Sequence, residues 1–258
     1  MKVAACQLPD IRNDTERALA LVVASATDAQ ERGARLVTYP ECFLQGYEVE
    51  ASYVANAAID LSSLAFDDML HRLAALEPVI VLGLIEKDAS KFYNMAVVID
   101  RGRLVTRYRK THLIDSEQAV FQAGIEYPIF DVDGVKVGIN ICYDLTFAES
   151  SESAVRAGAQ LLACPCNNML RLPNAENWKY RHNEIRCQRA RDAQVWILSA
   201  DVTGERDGRI SYGPTAMIDP GGGVVAQVPL MTTGMLVTDL FAREFDGRRR
   251  GSLEQRLD

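Results

Sequence analysis

The stretch Val135-Lys136-Val137-Gly138-Ile139-Asn140-Ile141-Cys142-Tyr143-Asp144 carries an apolar run into a polar turn, with a thiol at the point of change. The run from Val135 to Ile141 is typical of a buried strand, and the polar, acidic stretch from Asp144 to Ser153 indicates the start of a helix. Near a helix N-terminus, backbone N–H groups and the helix dipole favour a thiolate and can hold an oxyanion. Cys142 is therefore a candidate nucleophile.

Two charged side chains stand at comparable positions elsewhere in the chain. Taken alone, Cys142 fits a small buried hydrophobe at least as well as a nucleophile. However, the predicted strand from Arg35 to Tyr39 ends in Pro40-Glu41, and Lys110 comes just past another apolar stretch. A glutamate, a lysine and a cysteine thus each lie at the exit of a predicted strand, which favours a shared catalytic site over three unrelated surface or core residues.

Three blocks of sequence resemble the motifs of the nitrilase, or carbon-nitrogen hydrolase, superfamily. They are Pro40-Glu41 followed by Gly46-Tyr47, Tyr108-Arg109-Lys110-x-His112-Leu113, and Cys142-Tyr143-Asp144-Leu145-x-Phe147-x-Glu149. The segment Glu117-x-x-x-Phe121-x-x-Gly124 is similar to the one that holds the family's additional active-site glutamate. The resemblance runs from the Lys2–Gln7 strand to the Gly234–Val237 strand, nearly the whole chain.

Hydrophobic periodicity predicts strands that alternate with helices, in an α/β fold. The predicted strands are Lys2–Leu8, Arg35–Tyr39, Val79–Glu86, Tyr93–Asp100, Ile129–Val132, Val135–Ile141, Gln160–Cys164, Val195–Ala200, Thr215–Asp219, Gly223–Gln227 and Gly234–Asp239. The predicted helices run from an N-cap at Asn13 to Gln30, and over Ser62–Leu76, Phe147–Ala157 and Ala175–Ala193. The resemblance implies the family's four-layer α-β-β-α sandwich. We expect a single domain over residues 1–242 and a charged tail over 243–258.

The resemblance also implies a mechanism. Glu41 is expected to act as the general base for Cys142, which would attack an amide carbon and form a thioester. Lys110 and the backbone N–H of Tyr143 are expected to stabilise the oxyanion. Glu117 would orient Lys110 or share the role of base. We therefore expect a cysteine-dependent amidohydrolase that releases ammonia or an amine, with nitrile or N-carbamoyl hydrolysis, or a non-catalytic scaffold that keeps the fold, as alternatives.

Residues just after the strands near Cys142 are the candidates for substrate binding. They are Tyr47, Tyr143, Thr146, Phe147, Asn167 and Asn168. Relatives that act on carboxylate-bearing amides often place an arginine in the cysteine block, but this chain has Leu145-Thr146 there, which argues against an omega-amidase or a carbamoyl-amino-acid hydrolase. Arg171 or Lys179 could replace that contact from another direction, although such residues are more often solvated loop charges. Asp201 stands where many relatives have asparagine, which is expected to alter the polarity of the pocket.

Composition excludes several other classes of function. The net charge of −7 and the absence of a basic stripe argue against a nucleic-acid partner. The apolar stretch at the N-terminus stops at Pro9-Asp10, too short for a secretory signal, and no stretch is long enough to span a membrane, so we expect a cytoplasmic protein with reduced thiols. The three histidines are scattered, and His71 and His182 are predicted at the surface, so we expect no metal and no cofactor. The expected partners are a small amide, water and a second copy of the chain in a homodimer or higher homo-oligomer.

Overall fold

The computed structural model describes residues 1–240, so the expected charged tail and its boundary lie outside the described part of the chain. The strands in this part are β1 Lys2–Pro9, β2 Leu36–Thr38, β3 Val79–Asp88, β4 Lys91–Asp100, β5 Arg103–Arg109, β6 Phe130–Val132, β7 Val135–Ile139, β8 Leu161–Pro165, β9 Leu170–Arg171, β10 Trp196–Arg206, β11 Arg209–Ser211, β12 Ala216–Ile218, β13 Val224–Gln227 and β14 Gly234–Asp239. The helices are α1 Thr15–Glu31, α2 Ala51–Ala57, α3 Leu64–Leu73, α4 Asp115–Gln118, α5 Ala148–Arg156, α6 Asn174–Trp178 and α7 Arg181–Ala193, and a 3-10 turn spans Cys142–Thr146.

The main strands run in the order β5-β4-β3-β2-β1-β10-β8-β7-β6. The step from β1 to β10 divides them into two halves. The first part of β1 pairs with β14, from Lys2 opposite Asp239 to Gln7 opposite Gly234. Its last residues pair in parallel with β10, beginning with Gln7 opposite Asp201. β1 therefore joins the two halves, which fold over one another as two sheets.

Three apolar layers show how the sheets and helices stack. The first packs α1 and α3 against the first sheet, and includes Leu19, Val22, Phe66, Leu82 and Val97. The second lies between the sheets and includes Val3, Val81, Val98, Ile139, Leu161 and Leu198. The third packs the second sheet against α5 and α7, and includes Ala154, Leu162, Ala190 and Ile197. The predicted α-β-β-α sandwich is confirmed.

The strand β3 shows why this architecture follows from the sequence. Successive side chains of a strand point to opposite faces, and here Val81 enters the layer between the sheets while Leu82 enters the layer under the helices. Because both faces are covered by protein, the strand is a nearly continuous apolar run instead of an alternating one.

Some predicted boundaries were wrong. The N-cap of α1 is Asp14, whose carboxylate accepts a hydrogen bond from the backbone N–H of Arg17 at 3.0 Å, whereas Asn13 precedes it with a positive φ of 55°. The helix predicted over Ala175–Ala193 is two helices, α6 and α7, separated at Lys179 and Tyr180.

Several elements were missing from the prediction. The edge strand β5 carries mostly exposed or half-exposed polar side chains, so it lacks a strong apolar period. The elements α2, α4, β9 and β11 are short, from two to seven residues. Among residues 1–240, no helix has both the length and the apolar character needed to cross a membrane.

Gly83 of β3 offers a test of how tightly the segment that follows β2 is packed. A Cβ atom at this position would lie 2.2 Å from the carbonyl oxygen of Pro40 and 2.6 Å from the backbone nitrogen of Cys42. We expect Gly83→Ala to lower the free energy of unfolding by about 1–3 kcal/mol, because backbone atoms must move to accept the methyl group. Thermal unfolding followed by circular dichroism measures the change.

The control for this variant is Gly234→Ala in β14. A Cβ at Gly234 would meet its nearest neighbour, Cγ1 of Val228, at an ordinary 3.5 Å. We expect this variant to unfold within about 0.5 kcal/mol of the parent. Equal losses in the two variants would show that the backbone around Glu41 is not tightly packed against β3.

Candidate active site

Glu41, Lys110 and Cys142 meet at one cavity of about 280 Å³. Glu41 follows β2, Lys110 follows β5, and Cys142 follows β7, so each side chain leaves the end of a strand. The sheets fix the ends of these strands relative to one another. The three residues predicted to be catalytic thus line the same space.

Glu41 and Lys110 line the cavity and form a buried ionic cluster with Glu117, which lies outside the lining. The ammonium group of Lys110 donates to Oε1 of Glu41 at 2.7 Å and to Oε1 of Glu117 at 2.9 Å. All three side chains are at most 2% exposed. Because a buried charge without a partner is very costly, this pairing determines where the lysine and both carboxylates lie.

Asn94 of β4 joins the two carboxylates and was not predicted as a site residue. Its Nδ2 donates to Oε1 of Glu41 at 2.7 Å and to Oε1 of Glu117 at 2.8 Å. The signal in the sequence was a single amide within the apolar run of β4, at a position buried in the fold. A buried amide in such a strand requires hydrogen-bond partners, which indicates a polar cluster nearby.

Burial and the neighbouring charges both shift the pKa values of Glu41 and Lys110. Burial raises the pKa of Glu41, the nearby Lys110 ammonium lowers it, and the Glu117 carboxylate raises it again, with a net increase. Burial acts to lower the pKa of Lys110, but the Glu41 and Glu117 carboxylates outweigh it and hold that pKa well above its ordinary value. The two carboxylates therefore favour the charged form of Lys110, whereas Glu41 takes up a proton more readily than an exposed glutamate.

Cys142 begins the 3-10 turn with a positive φ of 45°, a conformation uncommon for residues other than glycine. The N–H groups of a first helical turn have no partner within the turn, so the expected role of the Tyr143 backbone N–H as an oxyanion donor is compatible with its place in this turn. Its neighbour Cys166, burial and the Glu41 charge raise the pKa of the Cys142 thiol well above its ordinary value. The sulfur is thus a thiol that needs a base.

Asp144 holds the turn of Cys142 against the segment of Lys110. One carboxylate oxygen accepts from the backbone N–H of Ile141 at 2.8 Å and from the hydroxyl of Tyr108 at 2.7 Å. The other accepts from the backbone N–H of His112 at 2.8 Å. Asp144 is fully buried and was not predicted as a positioning residue.

The cavity wall contains five of the six predicted substrate-binding residues: Tyr47, Tyr143, Thr146, Asn167 and Asn168. Phe147 does not line the cavity, because its ring stacks on His112 with the centroids 4.0 Å apart. The wall also contains Ile114, Leu145, Leu170, Asn174, Trp178, His182, Ile185 and Arg186, which were not predicted. Most of these follow β8 in the chain, where no motif marked them.

The cationic side chain in this part of the wall is Arg186 of α7, whereas Arg171 and Lys179 lie outside the lining. Arg186 is 3% exposed, and its Nη2 lies 3.4 Å from Oδ2 of Asp201. His182 was wrongly predicted at the surface. It is half-buried beside Arg186, and burial followed by the Arg186 charge lowers its pKa to about 3, so its imidazole is neutral.

Asp201 accepts from Asn168 with both carboxylate oxygens. Its Oδ1 receives the backbone N–H of Asn168 at 3.1 Å, and its Oδ2 receives the side-chain amide of the same residue. The Oδ1 of Asn168 faces the other way and lies 3.9 Å from the sulfur of Cys142. Asp201 itself lies outside the cavity lining, so its predicted effect on the polarity of the pocket stays a prediction that would act through Asn168.

Within residues 1–240, no group of three or more His, Cys, Asp or Glu side chains is arranged to hold a metal ion.

The family model of carbon-nitrogen hydrolases matches residues 2–244, and the chain belongs to this family. The resemblance predicted from the three motif blocks is confirmed. The protein is therefore a hydrolase that acts on carbon–nitrogen bonds other than peptide bonds.

The chain is similar to several characterised members. An (R)-stereoselective amidase from Pseudomonas sp is 28% identical over 230 residues, which cover 87% of this chain and 80% of that protein. An omega-amidase from Homo sapiens is 30% identical over 241 residues, 86% of this chain and 81% of that protein. A nitrilase from Pyrococcus abyssi is 34% identical over 196 residues, 75% and 71% of the two chains.

Solved structures show the same fold. A mutant of an amidase of the nitrilase superfamily from Nesterenkonia AN1 matches with a TM-score of 0.81 at 24% identity, over 93% of this chain and 90% of that chain. A Saccharomyces cerevisiae member of branch 10 of the superfamily also matches with a TM-score of 0.81, at 22% identity over 92% and 89%.

Asn94 tests the electrostatics of the buried cluster. Its hydrogen bond lowers the pKa of Glu41, so we expect Asn94→Leu to raise that pKa further. The acidic limb of a pH–rate profile should then move to higher pH, because Glu41 must lose its proton to act as a base. The profile of kcat/KM between pH 4 and 9 measures the shift.

The matched control is Asn56→Leu, at an exposed position of α2. It should leave the acidic limb where the parent has it. A limb that stays in place in Asn94→Leu would show that Asn94 does not stabilise the ionised form of Glu41.

Proposed function

We propose that this protein is a thiol amidohydrolase that cleaves a small, neutral primary amide to a carboxylate and ammonia through a thioester acyl-enzyme. The observation that carries the proposal is the shared cavity, in which Cys142 meets Glu41 and Lys110 while Lys110 is fixed by two buried carboxylates. A thiol, a base and a fixed cation at one concave site are the parts that acyl transfer requires.

The first half of the reaction forms the thioester. Glu41 accepts the proton of the Cys142 thiol as the sulfur attacks the amide carbon, and the carbonyl oxygen becomes an oxyanion. Lys110 and the backbone N–H of Tyr143 stabilise this oxygen, and one such donor is worth on the order of 3 kcal/mol. Glu41 then donates its proton to the amide nitrogen, the carbon–nitrogen bond breaks, and ammonia leaves.

The second half releases the acid. Water attacks the thioester carbon while Glu41 accepts a proton from it, and collapse of the second tetrahedral intermediate breaks the carbon–sulfur bond. The proton held by Glu41 returns to the Cys142 sulfur, and the product is a carboxylic acid that ionises in water. A carboxylate with a raised pKa suits this role because it must take up and release a proton in each half.

Charge in the cavity supports a neutral substrate. Among the described residues, the cations that line the cavity are Lys110 and Arg186, and each is already paired with a buried carboxylate. His182 is neutral because its pKa is lowered to about 3. A carboxylate on the substrate would therefore find no unpaired cation, whereas an apolar acyl chain fits beside Leu170 and Ile185.

The names of the relatives support amide cleavage, with nitrile hydrolysis as an alternative. The (R)-stereoselective amidase and the omega-amidase are named for amides, and the Pyrococcus abyssi protein for nitriles. We infer an amide substrate, and make nitriles and N-carbamoyl compounds part of the test.

Cys142→Ala tests the covalent step. We expect the wild-type protein to release ammonia from small aliphatic amides and to gain, in intact-protein mass spectrometry, the mass of the acyl group. Cys142→Ala should form no adduct, and its rate of ammonia release should fall by at least about 10³-fold, because no other thiol lines the cavity among the described residues. A panel of amides, nitriles and N-carbamoyl compounds identifies the preferred bond.

The matched control is Cys187→Ala, which removes a half-buried thiol of α7 outside the cavity lining. This variant should keep both the adduct and the ammonia release. Full activity in Cys142→Ala, or an adduct that is lost only in Cys187→Ala, would overturn the mechanism.

The pH dependence follows from the raised pKa of Glu41. Because a base must be deprotonated, activity should rise with pH through the pKa of Glu41, and that midpoint should lie above the ordinary glutamate value of about 4.3. Lys110 stays protonated well beyond its ordinary range, so its titration should cause no loss of activity below about pH 10.

Rates measured alongside far-ultraviolet circular dichroism at each pH separate titration from acid unfolding. A midpoint at or below the ordinary glutamate value, in a protein that stays folded, would show that Glu41 is not the base.

A further inference from the structure

A buried chain of polar contacts runs from Arg186 through Asp201 to Asn168, directly behind the Cys142 sulfur. Asp201 is fully buried on β10, and Asn168 is 7% exposed in the cavity wall. Arg186 is held in place at its other end, since Nη1 donates to Oδ1 of Asn183 at 2.8 Å and to the carbonyl oxygen of Pro214 at 2.6 Å. The chain is thus anchored to α7, β10 and the segment before β12.

These contacts determine which way the amide of Asn168 faces. An ionised carboxylate accepts hydrogen bonds and cannot donate them. Asn168 must therefore present Nδ2 to Asp201, and the backbone N–H of the same residue also binds this carboxylate. The amide oxygen is left to face the cavity, where it accepts a long hydrogen bond of 3.9 Å from the Cys142 thiol.

The contacts of Asp201 show it as an acceptor, since Asn168 donates to both of its carboxylate oxygens and Nη2 of Arg186 lies 3.4 Å from Oδ2. Burial raises the pKa of Asp201, with a net increase, although the Arg186 guanidinium and the hydrogen bonds from Asn168 oppose that rise. If the carboxylate were replaced by an amide, it could donate to the oxygen of Asn168, and the orientation would no longer be fixed. Arg186 and Asp201 are in this sense positioning residues.

We infer that Asn168 is a specificity-determining residue whose amide oxygen accepts an N–H of the substrate carboxamide, and that Arg186 and Asp201 hold it in that orientation. The inference rests on the proposed function and deepens it, because it explains how the site selects nitrogen leaving groups. With one N–H directed to Asn168, the nitrogen lone pair of the tetrahedral intermediate is free to take the proton from Glu41. The backbone N–H of the adjacent Asn167 donates to Glu41 at 3.0 Å, so the two groups are neighbours.

An ester with the same acyl group separates this role from general effects on the site. Methyl propionate and propionamide share the acyl chain and the thioester intermediate, but the ester has no N–H on its leaving group. We expect Asn168→Leu to lower kcat/KM for propionamide by at least about tenfold, the value of one lost hydrogen bond near the reacting atoms. Hydrolysis of methyl propionate should change by less than about threefold.

Asp201→Asn tests the positioning residues through the ratio of kcat/KM for propionamide to kcat/KM for methyl propionate. We expect it to lower the amide-to-ester ratio of kcat/KM by about as much as Asn168→Leu, and the double variant Asn168→Leu/Asp201→Asn to lower it no further, because both act on one interaction. Asp201→Asn leaves Arg186 buried without its partner, so Arg186→Gln/Asp201→Asn provides a neutral pair if the single variant does not fold. Gln188→Leu, at an exposed position of α7, is the control and should keep both rates.

The outcomes distinguish the inference from the proposed function. An amide-selective loss shared by the Asn168 and Asp201 variants supports the inference. Equal losses on amide and ester in Asn168→Leu, or a normal amide-to-ester ratio in folded Asp201 variants, overturn the inference while the proposed function stands. A wild-type protein that hydrolyses neither compound nor any other amide overturns both.

Discussion

The pairing of the Lys110 ammonium with Glu41 and Glu117 is the contact on which the catalytic geometry depends. Removing one partner from a buried ion pair typically costs about 3–5 kcal/mol, because the remaining charge is left unsatisfied. The cluster therefore tolerates little displacement of the strand ends that supply it. Asn94, which donates to both carboxylates, limits their separation from within the sheet. The base and the cation of the proposed mechanism thus have their positions set by contacts within the protein.

Cys142, the proposed nucleophile, comes from the opposite sheet and is held in place by different contacts. Asp144 supplies them, since it binds the turn that begins with Cys142 and also the segment beyond Lys110. The distance between nucleophile and cation is therefore set by hydrogen bonds to one buried carboxylate, together with the apolar layer between the sheets. Asp201 plays a comparable part for the cavity wall through Asn168. Asp144 and Asp201 are thus buried acids that hold residues of the cavity wall in place, whereas Glu41 is the acid proposed to transfer protons.

Much of this arrangement could be predicted because the residues involved leave the ends of regular strands within recognisable blocks. Glu41, Lys110 and Cys142 follow β2, β5 and β7, and apolar periodicity indicates where most such strands end. Asn94 and Arg186 were missed because each carries an ordinary polar side chain whose partner is distant in sequence. Phe147 was wrongly placed in the pocket since residue order does not show which way a ring turns after a 3-10 turn. His182 was misjudged because α7 is polar on most of its surface, which does not show that its ring lies 5.2 Å from that of Trp178 and lines the cavity.

The position of β1 has a consequence for how the chain acquires its structure. This first strand pairs with β10 and β14, whose residues lie roughly two hundred positions later in the chain. Contacts of such sequence separation carry a high loop-closure entropy and slow the search for the native topology. The catalytic cluster takes Glu41 and Lys110 from the first sheet and Cys142 from the second, so neither half of the sandwich contains the complete site. A chain in which one half of the sandwich has formed without the other therefore cannot bring Cys142 to Glu41 and Lys110.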